Sequence, residues 1–175
     1  MYYGARKEPA PYIDGPEFHE IYHEYGYDQA LSRDDSSLSY VYALDDRNWL
    51  LMLDSCQYEP DNKVEGRLKD STMAWADEQL ARAKEEGVFV IPIAHHNLLA
   101  QSRMYTTQCA MDNNKEVISL LQKYELPLFF SGHLHVQRIR KHKSEPGVPE
   151  GNYGIQEIVT DALSIPPCQY GEVLW

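Results

Sequence analysis

Apolar positions along this chain recur in two rhythms, one helical and one strand-like, and together they predict an alternating order of elements. Phe18, Ile21, Tyr22 and Tyr25 share one helical face behind Pro16, and Gly26 stops the turn, so a short amphipathic helix is predicted there. Residues 1–14 read as an irregular lead-in. Residues 38–44 and 49–53 are rich in strand formers, and Asp45-Asp46-Arg47-Asn48 between them predicts a hairpin turn. Residues 58–66 read as loop. Met73, Ala76, Leu80 and Ala83 repeat by three and four, which predicts a helix over 71–86 stopped by Gly87. The apolar run 88–94 follows as a strand. Asp112 is the expected cap of a third helix striped by Val117, Leu120, Leu121 and Tyr124, and Pro127 closes it before the strand 126–130. Residues 136–140 and 155–160 predict two more strands, paired antiparallel across a charged connection at 141–151.

Strands alternating with helices imply an α/β fold, and 175 residues with 43% hydrophobic content suit one domain. A formal charge of −11 argues against attachment to nucleic acid or to an anionic membrane surface, since both would repel the chain. No window has the length of a membrane span and the first fifteen residues lack an apolar leader, so the chain reads as soluble without a signal peptide. Cys56, Cys109 and Cys168 are odd in number and widely spaced, which reads as free thiols.

The chemistry gathers in histidines. In Ser131-Gly132-His133-Leu134-His135, an extended backbone would send His133 and His135 to the same side, with Gly132 allowing close approach. His95-His96 ends the strand 88–94 in the same way, and two strands ending in histidine can converge on one sheet edge. That is a metal-ligand arrangement. A rival is His19-Glu20-Ile21-Tyr22-His23, the His-Glu-x-x-His pattern of zinc peptidases. Its third ligand would fall at Gln29, and both histidines flank the apolar stripe of the first helix, so surface histidines explain them without a metal. Arg138, Arg140, Lys141 and Lys143 read as a solvated edge strand, with attraction of an anionic substrate as the alternative. Asp54 and Asp161 end strands, where aspartate supports a site or begins a turn.

Ile93-Ala94-His95-His96-Asn97 and Gly132-His133-Leu134-His135 resemble the later motifs of the calcineurin-like metallophosphoesterases. Residues 36–42, the strand to Asp54, the helix containing Trp75, and Glu157 to Thr160 with Pro166-Pro167 and Gly171 extend the resemblance to a bacterial branch of that family. It implies the C-terminal portion of a four-layer α/β/β/α sandwich, with residues 1–175 as one partial domain. It also implies hydrolysis of phosphomonoesters or phosphodiesters by two metal ions (manganese, iron or zinc). His135 would bind one ion, and His95 and His133 the other. His96 and Asn97 would line the pocket or orient a neighbour.

The family's earlier motifs, Asp-x-His, Gly-Asp-x-x-Asp and Gly-Asn-His-Asp/Glu, are absent from this sequence. Three neutral imidazoles do not offset two dications as the missing carboxylates would. The expectations are therefore a weak or empty metal site, a truncated and inactive chain when alone, and self-association or complementation by the missing N-terminal half. A non-catalytic fragment or interaction module that keeps the fold is the alternative.

Overall fold

Burial alternates along 48–53, with Trp49, Leu51 and Leu53 buried and Leu50 and Met52 half-buried, so this strand has one sealed face and one open one. The computed structural model describes residues 12–59, 62–101, 108–142 and 154–174, together with the backbone of 2–3 and 6–7. The elements run β1 (Tyr2–Tyr3), β2 (Arg6–Lys7), α1 (Gly15–Tyr22), β3 (Ser32–Arg33), β4 (Tyr40–Ala43), β5 (Asn48–Leu53), α2 (Asp70–Glu86), β6 (Phe89–Ala94), α3 (Asn114–Lys123), β7 (Leu128–Ser131), β8 (Arg138–Lys141) and β9 (Gln156–Val159). β1 and β2 pair antiparallel within the segment expected to be irregular. The other strands form one seven-stranded sheet in the order β3-β4-β5-β6-β7-β9-β8.

β5, β6, β7 and β9 are parallel, while β3, β4 and β8 pair antiparallel at the flanks. The steps β5-α2-β6 and β6-α3-β7 advance in the same direction, and right-handed crossovers then put both helices on the same face of the sheet. Ala76, Leu80 and Ala83 of α2 and Val117, Ile118 and Leu121 of α3 pack there with Trp49, Leu51, Ala94 and Phe129. Gly87 ends α2 in a left-handed conformation, and its N–H returns to the carbonyls of Ala83 and Lys84.

The opposite face carries a row of register partners across six strands: Tyr40, Met52, Ile93, Phe130, Ile158 and Ile139. Ile139 at its end is 66% exposed. Among the described residues α2 and α3 pack on the other face, and over this row α1 lies across a cleft lined by Phe18, Tyr22, Met52, Ile93 and Phe130.

Two details differ from the expectations. Asp112 does not cap α3; its N–H donates to the Gly66 carbonyl, and the helix starts at Asn114 behind Asn113. Asn113 in turn commits its amide to both backbone groups of Leu68, at 3.2 and 2.9 Å. At the other end, α1 begins with a capping box between Asp14 and Glu17 and runs into a wide turn at His23–Tyr27, where Gly26 takes φ of +117°.

Buried Asp34 fastens the turn before β4 to α2. Its carboxylate accepts the Ser36 N–H and hydroxyl, the Ser37 hydroxyl and, at 2.6 Å, the Thr72 hydroxyl. Burial pushes its pKa up, but the hydrogen bonds from Ser37, Thr72 and Ser36 outweigh this and hold it below the usual range. A depressed carboxylate pKa stabilises the fold above the unfolded value of about 3.9, and that stabilisation is lost as pH falls through the lower folded value. Asp34→Asn is therefore expected to melt at a lower temperature than wild type at pH 7, with the difference shrinking below about pH 4. Thermal melts of both proteins across pH 3–7 check this, and a constant difference would count against it.

Candidate metal centre

Four parallel strands deliver their C-terminal ends to one edge of the sheet, the position at which open α/β sheets bind ligands. β6 ends at Ala94, so His95 and His96 stand just past its tip; β7 ends at Ser131, and Gly132 and His133 follow. The Gly132 N–H donates to the His95 carbonyl at 3.0 Å, which brings the two tips together. An added Cβ at Gly132 would lie 3.9 Å from His95 Nδ1 and from Thr160 Oγ1, so the approach is close without crowding.

His95 Nε2 and His133 Nδ1 face each other at 3.1 Å. His133 Nε2 lies 2.8 Å from the Gln108 carbonyl, which only accepts, so Nε2 carries the proton and Nδ1 of the neutral ring keeps its lone pair. Without a ligand, His95 donates to that lone pair. In the other His95 tautomer two lone pairs converge, as two donors to one cation do. Burial, then the neighbouring His96, His133 and His135 imidazoles, lowers the pKa of His95, favouring the neutral form that ligation requires.

His96 plays a different part. It joins His95 and His133 in a group whose ligand atoms all lie within 4.8 Å of one another. However, its Nε2–H donates to the Val64 carbonyl at 2.9 Å, and its Nδ1 is 2.8 Å from the Ser55 hydroxyl. The same hydroxyl accepts the His96 backbone N–H at 3.2 Å. With both ring nitrogens satisfied, buried His96 ties the end of β5 to the loop beyond it, and burial lowers its pKa. Gly66 packs flat against this ring: an added Cβ would meet His96 Cγ at 2.2 Å and Nδ1 at 2.5 Å.

The extended backbone expected through Gly132-His133-Leu134-His135 is not what forms. His133 and His135 both have positive φ, 69° and 52°, and the Leu134 N–H turns back to the Gly132 carbonyl at 2.8 Å. Alternation therefore does not pair these two side chains. His135 is exposed and stands outside the group of three, though near enough for its charge to act on His95. Asn97 is fully buried, and its amide donates to Ser131 Oγ at 2.9 Å and to the Gly132 carbonyl at 3.2 Å.

The remaining candidates separate from this edge. His19 Nε2 accepts from Arg33 at 2.6 Å, and His23 Nδ1 donates to Asp28 at 2.8 Å, beyond the end of α1. Committed to different partners, they do not form the His-Glu-x-x-His zinc site. β8 is an exposed edge strand as expected, yet Arg138 and Arg140 both donate to the Gln101 carbonyl; Lys143 lies outside the described residues. Asp54 accepts from the Cys56 and Leu38 N–H groups and from the Tyr58 hydroxyl, so it organises the turn after β5.

A cleft of about 850 Å³ runs from His95 and Gly132 along the open sheet face, between Phe130 and Met52 on the sheet and Phe18 and Tyr22 of α1. Tyr27 lines it as well, and burial, followed by Tyr40 and Asp54, pushes its hydroxyl up to about 12.

Among the described residues the ligand set has two open imidazoles and no carboxylate in the group. Neutral imidazole suits zinc, manganese or iron, but two such donors are part of a metal shell and leave its charge unbalanced.

An α/β sheet with histidines at the tips of parallel strands defines the class of fold, and a solved structure shares it. A dimetal phosphatase from Danio rerio superposes with a TM-score of 0.66 at 14% identity, over 89% of this chain and 59% of that one. At that identity the likeness shows the fold alone, and this chain spans about three-fifths of the neighbour's length. No protein-family model and no curated protein sequence matches the chain. Among the described residues, no helix is long and apolar enough to cross a membrane.

Proposed function

We propose that this chain carries the histidine side of a dinuclear metallophosphoesterase, an enzyme that hydrolyses phosphomonoesters or phosphodiesters. One observation carries the reading: His95 Nε2 and His133 Nδ1, 38 residues apart, meet at 3.1 Å on the ligand-binding edge of a dimetal-phosphatase fold. His95 and His133 would hold one ion, and His135 would be a ligand of the other. Bound metal supplies Lewis acidity and an ionised water at neutral pH. The chain's own contribution is to favour the neutral form of His95 by burial and to aim both imidazoles together.

The open apolar row and the incomplete ligand set point the same way. We read residues 1–175 as one partial domain whose open apolar face, beyond the part that α1 overlies at the cleft, takes a further layer by self-association. Alone, it is expected to be inactive.

The test combines metal binding and turnover with the purified chain. Weak cobalt binding that disappears in His133→Ala, with no hydrolysis of an aryl phosphate monoester or diester in manganese, is the expected result. Robust hydrolysis abolished in His133→Ala would overturn the inactivity. Cobalt absorption unaffected by His133→Ala would overturn the metal assignment and favour the second reading, a non-catalytic module, for which the open apolar face speaks.

A further inference from the structure

We propose that Glu157 is a positioning residue for the histidine pair: its buried carboxylate clamps the two segments that carry His95 and His133. Glu157 lies on β9, beside Phe129 of β7 in register, and is fully buried. Its Oε1 accepts the Leu98 N–H at 2.7 Å and the Ser131 hydroxyl at 2.6 Å. Its Oε2 accepts the Leu99 N–H at 2.8 Å and the Gln101 amide at 2.7 Å.

These donors come from two places. Leu98, Leu99 and Gln101 belong to the loop that leaves His95-His96, whereas Ser131 immediately precedes Gly132-His133. The first loop extends the hold, because Asn97 bridges to Ala110 and accepts the Met111 N–H, fixing the segment whose Gln108 carbonyl receives His133 Nε2–H. Arg138 and Arg140 close the far end through the Gln101 carbonyl. One carboxylate thus sits beneath both carriers of the pair.

The choice of residue supports the assignment. Taking a carboxylate out of water is unfavourable, and no cationic side chain stands among its hydrogen-bond partners. An apolar residue beside Phe129 would escape that cost but could not gather four donors. Glutamine cannot replace it, since its NH₂ would oppose N–H groups or the Gln101 amide.

The role as a positioning residue rests on the metal-centre reading only for what the pair is for, and metal-free spectra can separate the two. Two-bond ¹H–¹⁵N correlation spectra of the imidazole rings are expected to shift or broaden for His95 and His133 in Glu157→Gln, while His19 and His23 stay in place. Ser131→Ala removes one donor and is expected to move the same signals less, which keeps the test available if Glu157→Gln does not fold. Leu80→Ala, a core truncation in α2, controls for general destabilisation and is expected to leave the pair's signals unchanged. Unmoved His95 and His133 signals in the folded variants, or equal movement in Leu80→Ala, would overturn the assignment. Cobalt titration provides the second readout, with affinity expected to fall about 10- to 100-fold in Ser131→Ala or Glu157→Gln. A wild-type chain that binds no cobalt would count against the metal reading, and the imidazole spectra would still decide the part assigned to Glu157.

Discussion

Gly66→Ala is expected to lower the melting temperature by roughly 5–15 °C, an outsized effect for one methyl group on a loop. The added Cβ would fall 2.2 Å from Cγ of His96, a ring that is itself buried and fastened at both nitrogens. Either the loop lifts, breaking the Arg67 N–H to Ser55 carbonyl and Asp112 N–H to Gly66 carbonyl bonds, or the ring leaves Ser55 and Val64. Overpacking of about 1–3 kcal/mol plus stranded buried polar groups at about 1–3 kcal/mol gives a loss of roughly 2–6 kcal/mol. Urea denaturation measures it directly. His96→Ala in the Gly66→Ala background removes the ring atoms at 2.2 and 2.5 Å but keeps the residue-96 Cβ at 2.5 Å, so it relieves part of the clash, and the double variant is expected to be less destabilised than the sum of the single ones. Strict additivity would mean that the two groups do not meet.

Cobalt binding is expected to weaken by at least about 100-fold in either His95→Ala or His133→Ala. Loss of a residue behind a ligand costs about 10- to 100-fold, and loss of a ligand should cost no less. Each substitution leaves one open imidazole at the edge, since His96 already has partners for both nitrogens. His135→Ala is expected to change binding to the isolated chain much less, because His135 is exposed outside the group formed by the other three. Titration followed by visible absorption distinguishes these cases. Equal losses for His133→Ala and His135→Ala would show that the turn at 132–135 rearranges around the ion.

Much of this architecture is legible in the sequence because it depends on local rules. The spacing of Met73, Ala76, Leu80 and Ala83 identifies α2, and Gly87 ends it, since a left-handed residue is needed there. Hairpin β4-β5 follows from its flanking strand formers, and His95 and His133 are marked by their place after apolar runs. What escapes is set by distant partners. Asp112 and Asn113 are equally good caps on paper, yet Gly66 and Leu68 decide how each is used. Gly66 looks like an ordinary loop glycine until the His96 ring is laid against it. Glu157 reads as one charged position in a strand, and its four donors come from residues 26 to 59 positions away. The positive φ values at His133 and His135 are a further case: strand alternation gives no warning that β7 stops at Ser131.

The separation of His95 from His133 also has a kinetic side. Their imidazoles meet only after α3 has crossed and β7 has aligned beside β6, so 38 residues of chain must be closed into a loop first. Such long-range pairings are slow to form and demand most of the native topology. An ion that needs both rings therefore has little to grip in a partly folded chain. Its capture during refolding should appear with the final phase, making the bound metal a clock for completion of the sheet.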